Sequence, residues 1–236
     1  MTTSGKEHAN AREPFPLELQ LWLSPAFPVG SFAYSHGLEW AVGQGRVRDR
    51  ISAEAWIGDL LQHGAARNDA ILLAGAWRAA RDGDGARIVE INDLALALSG
   101  CRERYLETST QGAAFITTVA AAWPGRISGE TAHALSGAVA YPVAVGAVAG
   151  GAAMPLGSTT QAYLVAFTSN LVSALVRLAA IGQTDGQRII ASLAAIIASV
   201  AANAAISTPD DLGGAAFVSD IAAAAHETQE TRMFRS

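Results

Sequence analysis

Residues 138–157, AVAYPVAVGAVAGGAAMPLG, decide what kind of fold this chain can have. They lie inside a stretch between Glu130 and Arg177 in which forty-six consecutive residues carry no Asp, Glu, Lys or Arg. A bilayer span needs roughly 20 mainly apolar residues. Here Pro142, Pro155 and the glycines Gly146, Gly150, Gly151 and Gly157 interrupt the run, and its apolar content is mostly alanine and valine. A second apolar segment, Ile189 to Ile206, places Ser192, Ser199 and Asn203 on one helical face, a polar stripe that suits a soluble bundle better than lipid. Both segments are satisfied by a central helix enclosed by its neighbours. Uncharged helical surface beyond what one small bundle can bury points further to a homodimer.

Outward from this centre, helical spacing dominates. Ala53, Trp56, Ile57, Leu60 and Leu61 follow the i, i+3, i+4, i+7, i+8 stripe, with Ser52 as the expected N-cap, and Ala70, Leu73, Ala74 and Trp77 repeat the pattern. Further helices are expected at about 85–99, 103–122, 131–149, 158–181 and 185–205. No convincing run of alternating strand residues occurs, and abundant alanine favours helix and close helix contact. The expectation is an all-α bundle of about ten helices, one domain over residues 15–236, after a polar leader at 1–14 (MTTSGKEHANAREP) that reads as disordered.

Composition removes whole classes of function. A formal charge of −5 and a pI near 5.5 argue against nucleic acid or anionic lipid as a partner. Cys101 is the single cysteine, so no internal disulfide and no CxxC zinc site can form, which fits a reducing compartment such as the cytoplasm. Fifteen arginines accompany one lysine, Lys6, in the leader. A phosphate-binding P-loop needs a lysine behind its glycines and a Schiff-base enzyme needs a buried amine, so neither chemistry is available to this chain.

Residues 24–39, SPAFPVGSFAYSHGLE, form a shaped connector. Pro25 and Pro28 bias their predecessors toward extended backbone, Gly30 permits a turn, and Phe27, Phe32, Tyr34 and His36 are expected to pin the segment to the body. From Ser35 the chain can turn helical, with Ser35 as a cap and Leu38, Ala41 and Val42 as the apolar edge. Ala33 to Gly37 superficially matches a serine nucleophile elbow, but that motif needs a preceding strand in an α/β sheet, and none is indicated. The histidines His8, His36, His63, His133 and His226 include no HxxxH pair. His36 and Glu39 share a helical face at (i, i+3), yet two ligands leave a metal site incomplete, and a cap or polar pair suits them better. Asn170, Ser173 and Arg177 fall together on one side of the 158–181 helix. Arg177, the lone ionised residue between Glu130 and Asp185, must reach a carboxylate, carbonyls or water, either within its own fold or at an interface or water-filled channel. With Tyr34, His36 and Glu39 these three make up a candidate interface or channel.

The loop STPDDLGG, residues 207–214, precedes an alanine-rich helix ending near His226, and then the character changes. His226, Glu227, Thr228, Glu230, Arg232 and Arg235 surround Met233 and Phe234 before the chain reaches Ser236. Apolar anchors in a charged terminus serve either a partner or the chain's own domain.

The 24–39 block resembles the N-terminal signature of the urease accessory protein F (UreF) family. The segment from Arg177 through GQTDGQ at 182–187, and the tail HETQETRMFRS at 226–236, resemble that family as well. The likeness spans about Leu19 to Ser236. Ser31 stands in place of a family glycine, and His36, in place of a frequent glutamine, adds a titratable group. The resemblance implies an all-α, cytoplasmic, non-catalytic homodimer that bridges the D-type accessory protein (H in some organisms) and the G-type GTPase on apo-urease. It implies no intrinsic cofactor, with nickel and GTP handled by the assembled complex, and no membrane or nucleic acid. Partner contact is then expected from residues 226–236, with Arg232 foremost.

Overall fold

The computed structural model describes residues 15–236, so the expected leader at 1–14 lies outside the described residues. Eleven α-helices follow one another, with two single 3-10 turns and no strand among the described residues. The helices are α1 Leu17–Trp22, α2 Leu38–Gly43, α3 Arg50–His63, α4 Ala65–Asp82, α5 Gly85–Ala97, α6 Arg102–Ala122, α7 Gly129–Ala134, α8 Tyr141–Gly151, α9 Leu156–Arg177, α10 Gln183–Ala204 and α11 Phe217–His226.

The charge-free stretch supplies the centre of the bundle. Every residue of α8 from Pro142 to Gly150 is buried. The glycines that weaken this segment as a membrane helix are what let it pack. A Cβ added at Gly146 would lie 2.2 Å from the Leu73 carbonyl oxygen, and one at Gly150 2.3 Å from that of Trp77, so α8 and α4 touch backbone to backbone. Gly112 of α6 approaches the backbone before α8 just as closely, an added Cβ there lying 2.0 Å from the Val139 carbonyl oxygen. Trp77 Nε1 donates to the Met154 carbonyl at 2.8 Å and fastens the far end of α8. Around this axis Trp22, Phe27, Phe115, Trp123, Tyr141 and Tyr163 form a continuous chain of edge-on and tilted rings, with centroids 5.5 to 6.0 Å apart.

Several boundaries differ from the sequence reading for local reasons. The expected helix at 131–149 is two helices, α7 and α8, because Gly137 adopts a positive φ of 96° and Pro142 suits only the first turn of a new helix. Asn92 stitches the linker between them, accepting from the Ala140 N–H and donating to the Ala138 carbonyl, both at 2.9 Å. Ser52 is not the N-cap of α3. Asp49 is, and Ser52 sits at N3 as the second half of a capping box. The helix expected from Ser35 starts only at Leu38, since His36 and Gly37 are both left-handed, at φ 54° and 75°. Gly37 allows α11 to rest directly upon it, an added Cβ there lying 2.6 Å from the Ala223 nitrogen. In the connector Phe27, Tyr34 and His36 are buried as expected, whereas Phe32 is 68% exposed. By length and composition α10 could cross a membrane, with 33% of its most apolar window buried, and Ser192, Ser199 and Asn203 are among its exposed residues.

Candidate functional site

The N-terminal connector, α2, α6, α11 and the last residues of the chain converge on one buried polar network. Glu39, in the first turn of α2, is its hub. Its carboxylate accepts the backbone N–H groups of Met233 at 2.7 Å and Phe234 at 2.9 Å, and faces His226 Nε2 at 3.2 Å. The other ring nitrogen of His226, Nδ1, lies 2.7 Å from Glu103, whose second oxygen takes Arg232 at 2.6 Å. Glu103 also offers its backbone N–H to Glu227, at 2.9 Å. Two carboxylates thus alternate with an imidazole and a guanidinium, so each of their oxygens meets a nitrogen.

Beneath this lies a second cluster. Glu107 contacts Arg104 at 2.5 Å, His36 at 2.8 Å and the Ser236 hydroxyl at 2.8 Å. Burial pushes the Glu107 carboxyl up, but Arg104, His36 and the Ser236 hydroxyl outweigh it and hold it at about 2. Burial, followed by the Arg104 charge, lowers His36. Asp69, bonded to the Tyr163 hydroxyl at 2.8 Å, is pushed up to about 6 by burial. A cleft of about 660 Å³ between the connector and α9 reaches His36, Asp69, Arg104 and Thr108 from one side, and a smaller one of about 250 Å³ reaches the same four from the other. His36 Nδ1 is buried without a partner. Ser35 is fully buried, its Oγ donating to the Ser236 carbonyl at 2.5 Å and its N–H to the same oxygen at 2.7 Å, so this hydroxyl serves to seat the tail.

The sequence-predicted residues part company here. His36 and Glu39, paired in the linear reading, point into different clusters. His226 lies between two carboxylates on opposite sides of its ring, so that trio encloses no common point, and no group of three potential ligands converges among the described residues. Asn170 donates to the Tyr34 carbonyl at 3.3 Å, and Tyr34 itself is buried. Ser173 is exposed along the large cleft. Arg177 donates to the Phe32 carbonyl and lies 4.4 Å from the centre of the Phe234 ring, which resolves its need for a partner within its own chain. In the tail, Thr228, Glu230, Arg232, Met233 and Arg235 are exposed and Glu227 is half-buried, while His226, Phe234 and Ser236 are buried. The tail therefore contributes to the body far more than a charged terminus suggests. Its residues are divided between holding on and facing out.

Five central residues escaped the sequence reading, namely Asp69, Glu103, Arg104, Glu107 and Tyr163. A signal for α6 existed: Arg104, Glu107, Thr108 and Gln111 run in helical phase with buried Phe115 and Val119, which places polar groups on the inner face.

Helices wrapped on a glycine-lined axis, with a network that seats the chain's own tail, define an all-helical bundle closed by its C-terminal segment. Sequence comparison narrows the class. The UreF family model matches residues 47–194. The chain is 51% identical over 220 residues to the urease accessory protein UreF of Methylobacterium radiotolerans, covering 93% of this chain and 96% of that protein. It is likewise 51% identical to UreF of Xanthobacter autotrophicus, over 93% and 90% of the two chains. With UreF 1 of Brucella canis the identity is 48%, over 93% of each. The chain belongs to the UreF family of urease accessory proteins.

Proposed function

We propose that this chain is a non-catalytic scaffold that bridges the D-type (H-type) accessory protein and the G-type GTPase on apo-urease, so that nickel can be inserted. The observation that carries the reading is the tail: a family-like terminus is seated by a dedicated network and still presents Arg232, Met233 and Arg235 to solvent. Partner contact from the exposed members of 226–236 agrees with this placement, and the buried members act as anchors. Nickel and GTP are assigned to the assembled complex, since the only lysine, Lys6, follows no P-loop glycine pattern and no three potential metal ligands converge among the described residues. The working form is a cytoplasmic homodimer, supported by the single cysteine and by the exposed alanine-rich face of α10.

The test is urease activation in a strain that lacks this gene alone, with the gene restored in full or without residues 230–236. Co-purification of the D-type protein and the GTPase is followed in parallel, and light scattering gives the oligomeric state. Normal activation without the gene would refute the reading. Activation that needs the gene but ignores the tail would refute the assignment of the tail. A purified chain that remains monomeric at assay concentration would refute the dimer.

A further inference from the structure

From Met233 to Ser236 successive residues of the tail face opposite ways, and one carboxylate receives the backbone where the alternation begins. Glu39 accepts the N–H groups of both Met233 and Phe234, a two-point grip that fixes the rotation of the peptide between them. Phe234 turns inward, 3% exposed, against the Arg177 guanidinium, while Met233 turns outward and is 56% exposed. The alternation continues. Arg235 donates its N–H to the Ala33 carbonyl at 2.8 Å with its side chain exposed, and Ser236 is buried against Ser35 and Glu107. Arg232 spends one guanidinium nitrogen on Glu103 and keeps 39% of its side chain in solvent. Arg235 has no carboxylate within ion-pair distance among the described residues. The outer face is thus a methionine flanked by two guanidinium groups.

We propose that Glu39 is a positioning residue that splits the tail into an anchoring face, Phe234 and Ser236, and a presenting face, Arg232, Met233 and Arg235. The presenting face fits a partner surface in which an apolar socket is edged by carboxylates. Methionine adapts to an irregular apolar socket, and the flanking guanidinium groups select acidic rims and repel basic ones. The proposal rests on the reading of the tail as a contact for the D-type protein, and it assigns which tail atoms make that contact and which residue aims them.

Hydrogen exchange on the tail peptide of the free full-length chain, combined with capture by the purified D-type protein, separates the parts. Glutamine offers one acceptor oxygen where glutamate offers two, so Glu39→Gln should lower protection of the tail amides by about tenfold and weaken capture as the presenting face loses its aim. Met233→Ser should leave protection within about twofold of the native chain, because its side chain is outside, and still weaken capture by about tenfold. Native-like protection in Glu39→Gln overturns the positioning role. Should that variant fail to fold by thermal melting, Glu39→Asp, which keeps the charge but draws the carboxylate back from the Met233 and Phe234 amides by one methylene, takes its place with the same expected loss. Native-like capture by Met233→Ser, when removal of 230–236 abolishes capture, overturns the presenting face. Capture that survives removal of the tail strikes instead at the functional reading and removes the partner face with it, while exchange still decides the role of Glu39.

Discussion

Replacing Glu107 with glutamine should flatten the acid limb of this protein's stability. The native carboxyl is held at about 2, against an ordinary 4.5, because Arg104, His36 and the Ser236 hydroxyl together outweigh the effect of burial. A carboxylate depressed in this way contributes stability that is fully present above pH 4.5 and is lost as pH falls toward 2. At about 1.4 kcal/mol per pH unit, that contribution is roughly 3 kcal/mol. Asp69 acts with the opposite sign. Burial raises it from 3.8 to about 6, so the native state holds an extra proton in that window, and stability declines by roughly 3 kcal/mol as pH rises through it. Urea unfolding followed by circular dichroism, at pH steps from 3 to about 7.5, reads both effects as differences between variants. Glu107→Gln should be less stable than the native chain near neutrality, since Arg104 loses its partner, and should lose much less on acidification below pH 4.5. Asp69→Asn should remove the decline between pH 4 and 6 and keep the acid limb. An acid limb of native steepness in Glu107→Gln would refute the claim that Arg104 and His36 hold this carboxylate ionised.

Three further outcomes follow from packing. Gly146→Ala should destabilise by about 1–3 kcal/mol or prevent folding, because the new methyl group lands 2.2 Å from the Leu73 carbonyl oxygen; a melt unchanged from native would show that α4 and α8 are not in backbone contact. Phe234→Ala should lower stability by about 3 kcal/mol, while Met233→Ala should move it by less than about 0.5 kcal/mol, and equal thermal shifts would contradict the opposite burial of the two neighbours. Asn92→Leu should cost about 1–3 kcal/mol, since the buried Ala140 N–H loses its acceptor; chemical denaturation measures this, and a neutral result would mean the linker finds another partner.

The helical class and the enclosed central segment were legible in the sequence, because both rest on local regularities. Apolar spacing repeats at the helix period, proline and glycine punctuate it, and a charge-free run broken by small residues fits between neighbours better than in lipid. The family was legible through the resemblance of the 24–39 block and of the tail, two distant segments in the right order. Helix starts that depend on a cap or a left-handed residue were less legible: Asp49 displaced Ser52 as the cap of α3, and the positive φ of His36 delayed α2 to Leu38. What only the tertiary structure decided is the partnership of charges. Glu39 reaches His226 across 187 positions and Phe234 across 195, and Ser35 reaches Ser236 across 201. No periodicity links residues so far apart, and a carboxylate looks the same in sequence whether it faces water or clasps two amides. The tail's composition showed that it holds apolar anchors. Which of them faced inward was settled by where the fold placed Glu39, because the orientation of an extended segment is set by the groups that receive its backbone hydrogen bonds.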